Sequence, residues 1–225
     1  MCQQETKLIF LTICLTGLMG VYVQAAVPPG SYQVQIVAAD MCCKGCVQKV
    51  SGQLYAAPGV MEVSANLENR TVVVTVSQNK GATLEQLWQA VAAGKGGPTQ
   101  LTTTNATFTL TPAESLDKSQ ILSATQSHII VENLSFEGRA QKIANQLYTT
   151  DGVVKVSADA PQNTLIVTSQ QAISPWALIA AVTKAQERPV AIQGAYGQLS
   201  IAWSANKSGI TNQQAHQSNN GGIQR

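Results

Sequence analysis

The sequence predicts an α+β chain that uses one β-α-β-β-α-β unit twice. Three observations predict it. The chain matches itself at a fixed shift, the apolar period alternates between two and about 3.6 residues within each copy, and turn-forming residues separate the periodic runs. At a shift of 93 residues Gly45 falls on Gly138, Gln48-Lys49 on Gln141-Lys142, and Gln53-Leu54-Tyr55 on Gln146-Leu147-Tyr148. Gly59-Val60 then meets Gly152-Val153, Val63-Ser64-Ala65 meets Val156-Ser157-Ala158, Thr71 meets Thr164, and Val74-Thr75 meets Val167-Thr168. A two-residue deletion changes the shift to 91, and Leu87, Val91 and Pro98 meet Leu178, Val182 and Pro189.

Each element of the first copy has a local cause. Tyr32 to Ala38 alternates, with Val34, Ile36 and Ala38 on one face, the pattern of a half-buried strand. From Lys44 to Ala57, Val47, Val50 and Leu54 form an amphipathic helical stripe, which Pro58-Gly59 ends. Val60 to Asn66 and Arg70 to Ser77 are β-rich runs joined by Leu67-Glu68-Asn69, a hairpin. Thr83 with Gln86 is a capping box that opens a second helix with the stripe Leu84, Leu87 and Val91. Gly94 to Gly97 ends that helix, and Leu101 to Leu110 reads as one final extended segment. The second copy follows suit, with Ser174 as N-cap and Pro175 as first residue of its second helix. The expected architecture is two tandem ferredoxin-like βαββαβ sandwiches over residues 31–111 and 127–204. Residues 112–126 form a linker, with a helical turn around Leu116 to Leu122. The Asn-, Gln-, Ser- and Gly-rich stretch 205–225 has almost nothing to bury and is expected to be disordered.

Residues 1–26 read as a signal peptide, with Lys7, an apolar run from Leu8 to Val23, and the small-residue pattern Val23-Gln24-Ala25 for cleavage. The run is slightly short for a membrane span of about 20 residues. Ile13 before Cys14 argues against processing as a lipoprotein. The expected location is secreted or periplasmic, with a membrane association only if this segment stays uncleaved. The chain carries 14 basic and 12 acidic side chains, a formal charge of +2, and no basic run, so nucleic-acid binding has no support. Nothing in it resembles a hydrolytic triad, a phosphate-binding loop or paired catalytic carboxylates. Gly94-Lys95-Gly96-Gly97 follows a helix instead of opening one.

Chemistry concentrates in Met41-Cys42-Cys43-Lys44-Gly45-Cys46. Of five cysteines, Cys2 and Cys14 lie in the segment expected to be removed, and the other three are too close together to staple a fold. The β-α-β-β-α-β order puts Cys43 before the first helix and Cys46 in its first turn. There the unpaired N–H groups and the helix dipole favour thiolate. Two thiolates on a loop suit a soft, low-coordinate cation such as Cu(I) or Hg(II). They do not close a four-ligand zinc cage. His128 and His216, the only histidines, read as surface residues, His128 at a strand edge.

Met41, Cys43 and Cys46, entering the first helix of such a unit, resemble the Met-x-Cys-x-x-Cys motif of the heavy-metal-associated domain, found in copper chaperones, copper-exporting ATPases and a periplasmic mercury carrier. The resemblance covers residues 31–110 with the motif and 127–204 as fold only. It implies Cys43 and Cys46 as metal ligands and Met41 as an apolar plug under the loop. It also implies Lys95 as a cation that offsets the negative charge of a bis-thiolate complex, beside the plainer reading of a lysine interacting with the C-terminal end of the helix dipole. Cys42 is open to three readings: a third ligand, a competitor for oxidation, or a passive small residue. Leu134, Phe136 and Arg139 replace Met41, Cys43 and Cys46 in the second copy, which therefore cannot hold a soft metal through thiolates. The resemblance implies a non-enzymatic carrier of Cu(I) or another soft metal ion, exchanging it with a metal-donor or metal-acceptor protein such as a transporter. Two other classes stay open: an interaction or scaffold protein with a vestigial motif, and a thiol–disulfide oxidoreductase with Cys43 attacking and Cys46 resolving.

Overall fold

The computed structural model describes residues 27–117, 122–135 and 138–204. The expected signal peptide (1–26), the expected disordered tail (205–225) with His216, and Phe136 lie outside the described residues. The first copy runs β1 (Ser31–Ala38), α1 (Lys44–Tyr55), β2 (Val60–Asn66), β3 (Thr71–Ser77), α2 (Leu84–Ala93), β4 (Pro98–Thr102) and β5 (Ala106–Pro112). The second runs β6 (Gln126–Val131), α3 (Arg139–Leu147), β7 (Val153–Asp159), β8 (Thr164–Ser169), α4 (Pro175–Lys184), β9 (Pro189–Gly194) and β10 (Gly197–Trp203). Both copies therefore show the β-α-β-β-α-β order, and each adds one strand.

That added strand is the main departure from the sequence expectation. Leu101 to Leu110 is not one extended segment but the hairpin β4–β5, turning at Thr103, Thr104 and Asn105. The Thr103 hydroxyl accepts hydrogen bonds from the amides of Asn105 (3.3 Å) and Ala106 (3.1 Å), a serine/threonine turn hidden in a threonine run that reads as β. Strand β10 is the counterpart in the second copy, and β5 pairs antiparallel with β10 from Ala106↔Trp203 to Pro112↔Gly197. The two units share one ten-stranded sheet, ordered β2-β3-β1-β4-β5-β10-β9-β6-β8-β7. The one helical turn described between β5 and β6 is a 3₁₀ turn at Ala113–Ser115, and residues 118–121 of the turn expected around Leu116 to Leu122 lie outside the described residues.

Register shows which face the helices cover. Ile36 pairs with Leu101, Leu101 with Phe108, and Phe108 with Ile201, so these buried side chains stand on one side of the sheet. Leu199, two residues from Ile201, continues that face through Ile192 and Ile129 to Leu165. Both units thus bury the same side. Trp88 of α2 meets Trp176 of α4 with ring centroids 5.7 Å apart, and Phe108 lies 5.1 Å from Trp176. The other face carries Gln35, Thr102, Thr107, Thr109, Thr111, Gln198 and Ser200 across the central strands. His128 lies on that face of β6, which is bonded on both sides, by β8 and β9. It is not at a strand edge as the sequence suggested, and burial pushes its imidazole below its ordinary pKa.

Repeated residues have repeated jobs. The hydroxyl of Tyr55 accepts the amide of Val63 at 3.2 Å, and that of Tyr148 accepts the amide of Val156 at 3.1 Å. Strands β2 and β7 are the outer edges of the sheet, so each tyrosine blocks an N–H that would otherwise recruit another chain. A β-bulge interrupts each edge strand at the same place, Val60/Glu62 and Val153/Lys155.

Candidate metal centre

The cysteine loop joins β1 to α1. Cys43 is the N-cap of α1, extended at φ −149° and ψ 160°, and its Sγ accepts the Cys46 amide at 3.1 Å. A thiol here takes the place that Ser, Thr or Asp takes in most helices. Its neighbour Cys46 sits in the first turn, and the two sulfurs are close enough to be joined as a disulfide, with Cα atoms 5.1 Å apart. The Sγ atoms of Cys42, Cys43 and Cys46 all lie within 4.8 Å of one another. Cys42 and Cys43 are exposed and Cys46 half-buried. Met41 is fully buried in the core of the first unit, so its side chain anchors the loop from below.

The turn after α2 supports the loop from the side. The amides of Ala39 and Asp40 donate to the carbonyls of Gly97 and Gly96, both at 2.9 Å. Helix α2 ends in a Schellman motif, in which the Gly96 amide reaches Val91 O and the Lys95 amide reaches Ala92 O, each at 2.9 Å. Lys95 holds the left-handed position at φ 59° and is exposed. A Cβ on Gly94 would come within 2.7 Å of the Val50 backbone, and one on Gly96 within 2.8 Å of Val91. The glycines that look phosphate-binding in the sequence are there because α1 packs directly on this turn.

Arg70 was not identifiable from the sequence. It sits in the β2–β3 hairpin at φ 50°, and its Nη1 donates to the Ala39 carbonyl at 2.9 Å. A guanidinium thus lies at the entrance to the cysteine loop, from a residue that is distant in sequence and reads as an ordinary turn cation. Helix α1 has no acidic side chain in its first turn, and the carboxylate nearest in sequence is the exposed Asp40, two residues before Cys42.

In the second unit the described residues on either side of the equivalent loop are bonded to other protein groups. Leu134, at the place of Met41, is buried, and its amide donates to Asn163 Oδ1 at 2.8 Å. Arg139 replaces Cys46. Its Nε pairs with Glu187 Oε1 at 3.0 Å, and its Nη1 donates to the Asn133 carbonyl at 2.8 Å. Glu187 occupies the place of Gly96.

Residues 36–96 match the family model of the heavy-metal-associated domain. No curated protein matches the chain. Among solved structures it is similar to the water-soluble region of the P-type ATPase CopA from Bacillus subtilis, at 15% identity and TM-score 0.29, over 80% of this chain and 95% of that one. It is also similar to the N-terminal extension of CzcP from Cupriavidus metallidurans, at 14% identity and TM-score 0.24, over 69% of this chain and 97% of that one. Aspartate kinase from Clostridium acetobutylicum is a third, at 12% identity and TM-score 0.26, over 69% of this chain and 32% of that one. The family model and the cysteine cluster fall together: residues 36–96, which hold Cys42, Cys43 and Cys46, carry the likeness to the heavy-metal-associated domain.

Proposed function

We propose that the chain is a non-enzymatic carrier of a soft metal ion, Cu(I) foremost and Hg(II) next, held by the thiolates of Cys43 and Cys46. The observation that supports this most is the convergence of the cysteine sulfurs at the start of α1, on a loop that the core fixes through Met41. The metal is cargo. A site with two donors leaves it open to an incoming thiolate, and stepwise ligand exchange moves it to a metal-donor or metal-acceptor protein such as a transporter. Arg70 offsets the charge of the thiolate complex, with Lys95 as a second, exposed cation. The second unit, with Leu134 and Arg139 in the loop, takes no metal and serves as scaffold or docking module. The same reading includes export to the periplasm or beyond, directed by residues 1–26. The disulfide contact keeps thiol–disulfide exchange as a second reading.

The test is a chelator-competition titration of the full chain under reducing conditions. Wild type is expected to bind about one Cu(I) per chain, and Cys43→Ser with Cys46→Ser to abolish tight binding. Unchanged stoichiometry and affinity in the double variant would overturn the ligand assignment. Reduction of a disulfide substrate by wild type, with no retention of Cu(I), would favour the exchange reading.

A further inference from the structure

We propose that Cys42 is a third ligand, so that the site is a three-thiolate centre for a thiophilic ion that accepts trigonal coordination. This rests on the metal-carrier reading and specifies which ions the carrier takes.

Neighbouring residues in extended backbone point their side chains to opposite sides. Cys43 is itself extended, so an ordinary strand-to-helix passage would send Cys42 away from the helix N-terminus. Here the chain bends at Cys43, and the Cys42 sulfur lies within 4.8 Å of both Cys43 and Cys46. The distance fits the chemistry. Three sulfurs placed around one ion at about 2.3 Å each are about 4.0 Å apart in a plane. Once the Cys43–Cys46 pair is reduced, those two sulfurs open from bonding contact to that spacing, and Cys42 closes by less than an ångström to share the ion.

Two cations and one carboxylate, Asp40, flank the loop in sequence or by hydrogen bond. Three thiolates around Cu(I) leave a net charge of −2, and around Hg(II) −1. The first turn of α1 contributes no carboxylate, Lys44 is its first residue, and Arg70 is bonded to Ala39 just before the loop. The third sulfur also alters function. It saturates the ion against adventitious thiols, so transfer requires a partner that displaces one ligand at a time. It also admits trivalent arsenic, which binds when three thiols displace the three hydroxyls of arsenous acid, each thiol proton leaving with a hydroxyl as water.

The experiment uses the reduced full chain, Cu(I) and arsenous acid as probes, and Cys42→Ser beside Cys43→Ser. X-ray absorption is expected to count three sulfurs per Cu(I) in wild type and two in Cys42→Ser. The same substitution is expected to weaken Cu(I) binding about tenfold or more, since losing even an outer-sphere partner has that effect. It should abolish stoichiometric binding of arsenous acid. Two sulfurs in wild type, or an unchanged affinity in Cys42→Ser, would overturn the third ligand and leave the two-thiolate carrier standing. If Cys43→Ser also binds as wild type does, the carrier reading itself falls.

Discussion

Gly197→Ala should separate the two halves of the sheet. Gly197 opens β10, opposite Pro112 of β5 on one side and Gly194 of β9 on the other. Its φ is +114°, a region that L-residues rarely adopt, and forcing one into it costs about 1–3 kcal/mol. A Cβ there would overlap the Thr111 carbonyl oxygen and come within 2.8 Å of the Ala113 amide nitrogen and the Pro112 carbonyl carbon. These are backbone atoms and cannot rotate aside, so the strand must move, which adds about 1–3 kcal/mol as an overpacking term. The sum, about 2–6 kcal/mol, is a large part of a typical domain's stability. Its location matters as much as its size, because β5 and β10 are the only strands that pair across the two units among the described residues. Urea unfolding followed by tryptophan fluorescence reads this directly, since Trp88, Trp176 and Trp203 all sit at the seam. The variant is expected to lose its tryptophan signal at lower urea than its far-UV signal, whereas the two coincide in wild type. Coincident transitions, with stability within about 0.5 kcal/mol of wild type, would refute a seam held by close backbone approach.

Two further predictions concern polar groups that the fold wholly or partly buries. The Tyr196 hydroxyl is buried without a hydrogen-bond partner among the described residues, and its ring packs over Gly194. Tyr196→Phe keeps the ring and removes the orphan, so the chain should become more stable by about 1 kcal/mol in urea titration; a loss of that size would mean the hydroxyl has a partner. His128 has its pKa lowered by burial, so the unfolded chain holds more protons between the lowered value and the ordinary one near 6.5. Stability should therefore rise with pH through that window and level off above it. The melting temperature of His128→Gln should lack this rise; a rise that persists would place the titration elsewhere.

The elements that sequence displayed best were those with a short-range cause. The capping box at Thr83 and Gln86 is present in both directions, and Ser174-Pro175 opens α4. The repeat was legible because Leu54, Val74, Leu87 and Val91 are core positions with partners at fixed spacing in the second copy. What failed was the joining of the units. Phe108, Leu110, Leu199 and Ile201 alternate as any strand does, and alternation does not say which strand will be the neighbour. The threonine run from 102 to 104 hid the turn because its signal is one hydroxyl accepting two amides, with no glycine or proline. At the site, the cysteines could be placed from the motif and topology together. Arg70 could not, because its role depends on a hydrogen bond to Ala39 across 31 residues of chain.

The two loops differ in the groups beside them, and this gives a prediction that links fold to cargo. In the first unit Gly96 cannot become a carboxylate, because a Cβ there would meet Val91 and Val50 at 2.8 and 3.0 Å. That loop therefore lacks an ion pair placed like Arg139–Glu187, and the three cysteine sulfurs gather there instead. The Arg139–Glu187 pair is half-way between a surface and a buried ion pair, with side chains 30% and 15% exposed. Glu187→Ala should cost about 1–2 kcal/mol, above the usual surface value of about 0–1 and below the buried range of about 3–5. Metal loading instead should add about 2.7 kcal/mol when the free ion is at 100 times its dissociation constant. If the loops act independently, these effects add and Glu187→Ala leaves the metal affinity unchanged. A shift in affinity beyond about threefold, which is about 0.6 kcal/mol, would mean that the ten-stranded sheet couples the empty unit to the loaded one.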